Sequence, residues 1–198
     1  WLRDDAAAAI GAFETAQALD PKLWEAPFFL ARVHVTQGRL DEAVTSFRRA
    51  ADVQPDDYQA LGLLTSILSG LGRLDEASEA ASRCIAVIER HLRHSPADAR
   101  AYYLGSGCYS ALGNRELALG WARKALEISP RDSGTLYNLA CNFIHEGLIE
   151  EALELLERAA AVGWGSRAWL EHDPDMDPIR DHPRFRALLD RMGTPPGS

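Results

Sequence analysis

No run of apolar residues approaches the ~20 needed to carry a helix across a bilayer, and even the alanine-rich opening is interrupted by Glu14, Gln17 and Asp20. Positive charge is not in excess either: 21 Lys and Arg stand against 29 Asp and Glu, for a formal net charge of −8. A chain gripping phosphate backbones or anionic lipid nonspecifically would work against its own field, so nucleic acid and membrane surfaces are not expected partners. Cysteine is scarce, with only Cys84, Cys108 and Cys141, an odd number and no Cys-x-x-Cys pair. That excludes a disulfide framework, and the three read as reduced, small apolar residues of a cytoplasmic protein. Gly-x-Gly-x-x-Gly, a phosphate loop and His-Glu-x-x-His are all missing, and neither cofactor nor metal is expected. The first residue is Trp1 and not Met, so cytoplasmic location is a default, and a leader or preceding domain would lie outside this sequence.

What the chain does have is self-similarity. Gly38-Arg-Leu-Asp-Glu-Ala43 recurs as Gly72-Arg-Leu-Asp-Glu-Ala77 and Gly147-Leu-Ile-Glu-Glu-Ala152, with a degenerate copy at Gly113-Asn-Arg-Glu-Leu-Ala118. Gly38 to Gly72 and Gly113 to Gly147 are each 34 residues, as are Pro21 to Pro55 and Pro96 to Pro130, whereas Gly72 to Gly113 is 41. Two kinds of marker share one period, which signals stacked repeats. Between them apolar residues recur at helical steps, as in Leu136, Leu139, Ala140, Phe143 and then Ala152, Leu155, Leu156, Ala159. Each Gly suits the left-handed position after a helix, and the acidic pairs Asp41-Glu42, Asp75-Glu76 and Glu150-Glu151 face the positive end of the next helix dipole. Small residues (Ala43, Ala50, Ala77, Ala118, Ala125, Ala152, Ala159) let paired helices approach closely. The seven additional residues fall in 74–94, where Ala77, Ala81, Cys84, Ile88 and Leu92 keep one stripe. Seven residues return to nearly the same face, so one helix lengthened by ~10 Å is expected there.

These residues resemble the tetratricopeptide repeat family. The resemblance implies an all-α fold, a right-handed α-α superhelix of antiparallel helix pairs closed by a short helical C-terminal cap. It divides the chain into a half repeat over 1–23, full repeats over 24–57, 58–98 (with the elongated second helix), 99–132 and 133–162, and a cap with tail over 163–198. Pro27, Gly62 and Gly105 depart from the pattern, each glycine costing its helix about 1 kcal/mol relative to alanine. After Val162 the repeat stops, and Pro174, Pro178 and Pro183 each suit the first position of a short helix capped by Asp173, Asp177 or His182. This stretch resembles the end of the repeat region in bacterial signalling proteins such as serine/threonine kinases and adenylate cyclases. Its expected role is to cover the last helix pair, with a frayed end at 195–198.

Three constellations could carry chemistry. Asp173, Asp175 and Asp177 alternate as at the start of a calcium loop, but Pro178 replaces the sharp-turn Gly and Arg184 the closing Glu. His91 and His94 lack a partner at ligand spacing and read as a helix terminus. Cys141 and His145 share a helix face as a thiolate-imidazolium pair would, without a third orienting group in the sequence; a Cys/His hydrolase is the remote alternative to a non-enzyme. Trp24, Trp164 and Trp169 are expected to seal helix junctions.

The function expected is a protein-interaction scaffold holding a peptide or helix of another protein in its concave groove. The alternative is a regulatory domain acting on a kinase, cyclase or transcription-regulator domain preceding it in the same chain. By resemblance to the family, the groove falls on Glu25, Phe28, Arg32, Val35, Gln59, Ser66, Arg100, Tyr103, Ser110, Tyr137, Cys141 and His145, with Gly62, Ser69, Gly107 and Ile144 alongside. Lys and Asn are missing from the places where relatives clamp a C-terminal carboxylate, so an apolar or aromatic segment is the expected occupant.

Overall fold

A computed structural model describes residues 6–164 and 167–192. The half repeat expected over 1–23 and the expected fray at 195–198 therefore lie partly and wholly, respectively, outside the described residues. Those described form eleven α-helices, one 3-10 helix and no strand. α1 (Ala6–Leu19) is followed by four pairs: α2 (Glu25–Thr36) with α3 (Leu40–Val53), α4 (Tyr58–Gly70) with α5 (Leu74–Leu92), α6 (Ala99–Ala111) with α7 (Arg115–Ile128), and α8 (Ser133–His145) with α9 (Ile149–Ala161). The C-terminal segment adds α10 (Arg167–His172), the 3-10 helix Pro174–Ile179 and α11 (Pro183–Arg191).

The turns explain why the chain breaks where it does. Gly38, Gly72, Gly113 and Gly147 have φ of +68°, +70°, +73° and +75°, a region that costs a β-carbon dearly. Each ends its helix in the same pair of backbone bonds, as when Gly38 N–H donates to the Val35 carbonyl and Arg39 N–H to that of His34, a Schellman closure. At the other end Asp57, Asp98 and Asp132 accept from backbone N–H groups of the first turns of α4, α6 and α8. Pro27 is tolerated because it stands third in α2, where the N–H it lacks would have no intrahelical acceptor.

Packing follows the alanine pattern. Ala43, Ala50, Ala77, Ala118, Ala125, Ala152 and Ala159 are all buried where the paired helices meet. Between them Phe47, Leu61, Leu68, Ile88, Leu136, Leu139 and Leu153 form one continuous core. The first helices of successive pairs also stack on one another, α4 on α6 and α6 on α8, and so line one inner surface. α5 runs unbroken for 19 residues against 14 in α3 and α7 and 13 in α9. Its end carries a joint absent from the sequence reading: His91 Nε2 lies 2.7 Å from Asp98 Oδ2, which the Tyr58 hydroxyl also reaches at 2.7 Å, with the His91 ring 5.1 Å from that of Tyr58. Gly62 and Gly105 are close-approach positions, the β-carbon missing from Gly105 being one that would stand 2.4 Å from the Trp121 ring.

The C-terminal segment does more than close the last pair. α11 packs on α9, where Arg184 bridges Glu157 at 2.9 Å and Glu150 at 2.7 Å. α10 instead reaches α2, and the 3-10 helix spans α4 and α8. Asp173 and His182 cap Pro174 and Pro183 as expected, but Pro178 lies inside the 3-10 helix that Pro174 begins and starts none of its own.

Candidate binding groove

The inner surface of α2, α4, α6 and α8 is a groove that the segment Trp169–Ile179 partly fills. The filling is polar at its centre. Asp173 and Asp175 are 3% and 1% exposed, so their carboxylates need partners. Ser66 donates to one oxygen of Asp175, and His145 Nε2 lies 2.9 Å from the other. The Tyr137 hydroxyl donates to Asp173, joined by Trp169 Nε1 at 2.9 Å and the Asp175 N–H at 2.9 Å. Apolar contacts complete the seat: Met176 and Ile179 are buried, Pro174 lies against Gly70, and Trp164 stacks on Tyr137 at 4.1 Å.

This setting determines the local electrostatics. Burial, and then the charge of Asp175, push Asp173 up to about 7. Burial alone would lower His145, but the hydrogen bond and charge of Asp175 outweigh it and hold the imidazole above its ordinary value. Burial and the two aspartates drive the Cys141 thiol well upward, the reverse of what activates a nucleophile. Asp175 is the third group that the sequence did not offer to Cys141 and His145, yet it takes the imidazole nitrogen for itself and leaves the thiol buried. Ligand atoms of Cys141, Asp173 and Asp175 lie within 4.8 Å of one another, but every carboxylate oxygen there already has a polar partner, so the cluster reads as a proton-bonded joint and not a metal centre. Asp177 points elsewhere, to Arg180 at 2.5 Å, which removes the alternation that suggested calcium.

Two stretches of groove stay open. The larger, about 390 Å³, is walled by Phe28, Tyr103, Tyr137, Trp164 and Trp169, and Arg32, Gln59, Arg100 and Asn138 also line it. The second, about 320 Å³, shares Tyr103, Leu104 and Asn138 with it and adds Ser66, Ser110, Cys141 and His145, along with Gly62, Ser69 and Gly107. Ten of the twelve expected groove residues thus line a cavity; Glu25 lines neither, and Val35 is wholly buried in the core. Ile144 is also buried. Trp164 and Trp169, expected to seal junctions, are cavity walls, because the segment carrying them turns inward.

Charge is distributed unevenly. Among the described residues no carboxylate lines either open stretch, although the chain carries eight more acidic than basic residues. Arg32 sits with its guanidinium carbon 5.7 Å over the Trp169 ring, and burial, together with the like charge of Arg100, holds it below its ordinary value. Arg100 Nη1 donates to Gln59 Oε1 at 2.5 Å. Among the described residues neither arginine has a carboxylate partner.

Stacked helix pairs around a lined groove define an α-helical repeat scaffold for protein interaction. The chain belongs to the tetratricopeptide repeat family, whose models match residues 1–67 and 99–132. It is similar to the probable biofilm formation methyltransferase WspC of Pseudomonas putida KT2440, with 32% identity over 102 residues. That match covers 50% of this chain and 23% of the relative, so it spans less than a quarter of that protein's length. Among solved structures, a crystal structure of MamA is 21% identical with a TM-score of 0.46, covering 77% of this chain and 85% of that one. MamA 41-end from Desulfovibrio magneticus RS-1 is 18% identical with a TM-score of 0.48, covering 79% and 85%.

Proposed function

We propose that the open part of the concave groove holds a short segment of a partner protein, with an aromatic or apolar side chain among Phe28, Tyr103 and Trp164 and a carboxylate between Arg32 and Arg100. The observation that carries this reading is the pair of arginines facing a cavity of about 390 Å³ without an acidic group on its walls. A half-buried guanidinium lacking a counterion is a standing electrostatic cost, which an anionic group would relieve. The aromatic walls supply the apolar area that anchors a short ligand. This departs from the sequence expectation, which set a carboxylate clamp aside: the aromatic anchors remain, but the occupant is acidic as well. Tyr137 changes role, since its hydroxyl holds the chain's own Asp173. Regulation of another domain of the same chain is a second reading, supported by the groove's acceptance of a segment of its own chain.

Selection of random twelve-residue peptides on the immobilised protein tests this. Enriched sequences should pair Asp or Glu with an aromatic residue. Arg32→Ala, Arg100→Ala and Tyr103→Ala should each weaken the best peptide at least tenfold, about 1.4 kcal/mol. Enrichment without acidic residues, or peptides lost on the convex change Arg123→Glu and kept by Arg32→Ala, would remove the assignment.

A further inference from the structure

The buried joint between the C-terminal segment and α8 is the least expected feature of the groove, because it places two carboxylates in a nearly dry site with one imidazole. We propose that Trp169–Ile179 is a proton-held latch over the concave groove, closed while Asp173, Asp175 and His145 share two protons and released as those protons leave.

The reasoning begins with charge. With an imidazolium at His145, a carboxylate at Asp175 and a protonated Asp173, the cluster is neutral. Loss of one proton leaves a net charge of −1, and loss of both leaves two carboxylates beside a neutral ring. The groups facing the cluster do not compensate. On α8 these are Tyr137 and the Cys141 thiol, and just past its end Glu146 is held by Arg115 at 3.0 Å; α4 contributes the neutral Ser66. α2 contributes Arg32, whose guanidinium carbon lies 5.7 Å over the Trp169 ring and which makes no hydrogen bond or ion pair to the buried carboxylates among the described residues. Immediately after the segment, Arg180 donates to the Asp173 and Glu171 carbonyls at 2.9 and 2.7 Å and not to the buried carboxylates. Once undocked, Asp173 and His145 would reach water and return to ordinary behaviour.

Docking therefore takes up protons, and the direction of the pH effect follows. Asp173 is raised by docking from near 3.9 to about 7. Its contribution to closure is complete below pH ~4, declines as pH rises and is gone above about 7. His145, also raised by docking, contributes fully below pH ~6.5 and loses that contribution as pH rises through its elevated value. Both groups favour the closed segment in mild acid and weaken it in mild base. The imidazole side chain is 31% exposed, which gives protons a route in and out. The segment carries Trp169, a wall of the open cavity, so release would reshape that site. This consequence rests on the proposed peptide site; the latch itself does not.

The test uses full-length protein labelled with 5-fluorotryptophan, the Trp169 fluorine resonance being assigned by Trp169→Phe. Between pH 5.5 and 8.5 the ratio of released to docked Trp169 signal should rise at least tenfold, with a slope of up to tenfold per pH unit for each proton lost. Asp173→Asn and His145→Gln each remove one titrating group and should flatten that slope, whereas a merely structural role would shift the ratio equally at every pH. A wild-type ratio constant across the range, or both variants retaining the full slope, overturns the proposal. If Asp173→Asn fails to fold by circular dichroism, His145→Gln, at the solvent-touching position, decides alone. Loss of peptide affinity in Arg32→Ala bears only on the peptide site, so the two readings fail separately.

Discussion

Ending the chain at Gly163 should lower the melting temperature by roughly 5–15 °C and cause the protein to associate. The deleted segment buries Leu170, Met176, Ile179, Phe185 and Leu188. Exposing such side chains forfeits their burial, worth about 1.5–3 kcal/mol each. Each kcal/mol of net loss shifts the melting point of a chain this size by about 2–4 °C. Truncation uncovers two surfaces at once: the side of α9 carrying Glu157, Ala160 and Ala161, which faces Leu188, and the inner seat formed by Ser66, Tyr137, Cys141 and His145. Calorimetry and size-exclusion chromatography provide the measurement. A truncated chain with unchanged melting temperature and hydrodynamic size would show that the segment neither caps the stack nor fills the groove.

Two glycine-to-alanine changes should move stability in opposite directions, although both replace helical glycines. At Gly120 in α7 a new β-carbon meets nothing within 4 Å. Alanine there should stabilise by about 0.5–1 kcal/mol, the ordinary helical gain. At Gly70, in the last turn of α4, the same atom would stand 2.5 Å from Cγ and 2.6 Å from Cβ of Pro174. A proline ring cannot swing aside, so the 3-10 helix must shift, at an overpacking cost of about 1–3 kcal/mol. Gly70→Ala should therefore undock the segment while leaving the repeat helices intact, and tryptophan fluorescence should move to the red with far-UV circular dichroism nearly unchanged. Equal stabilisation by both changes would mean that Pro174 does not rest on α4.

The polar contacts show which features were legible beforehand. Caps, glycine turns and acidic first turns join residues two to five apart, so each could be read where it stands. The alanine contacts and inner-face positions repeat with the period of 34, so one unit teaches the next. The position of the C-terminal segment obeys neither rule. Ser66 and Asp175, which meet in the groove, are 109 residues apart, and no periodicity links them. Pro174, Pro178 and Pro183 announced short helices but not the surface on which they settle. Ser66 was expected to line the open inner face; together with Gly70 it instead marks where the segment lies.

The sequence by itself determined the helix pairs, their turns, the alanine-lined contacts and the lengthened α5, because these depend on propensity, on helical spacing and on left-handed glycines that act within a few residues. It also indicated most of the groove residues, through resemblance carried on the same period. Only the tertiary structure decided that the groove is partly filled by the chain's own C-terminal segment. It brought the segment back across α4 and α8, gave His145 an aspartate in place of a cysteine, and left Arg32 and Arg100 facing an opening without acids. Those outcomes depend on which distant surface buries a short amphipathic piece with the fewest unsatisfied polar groups, a competition settled by the curvature of the whole stack and by no single stretch of residues.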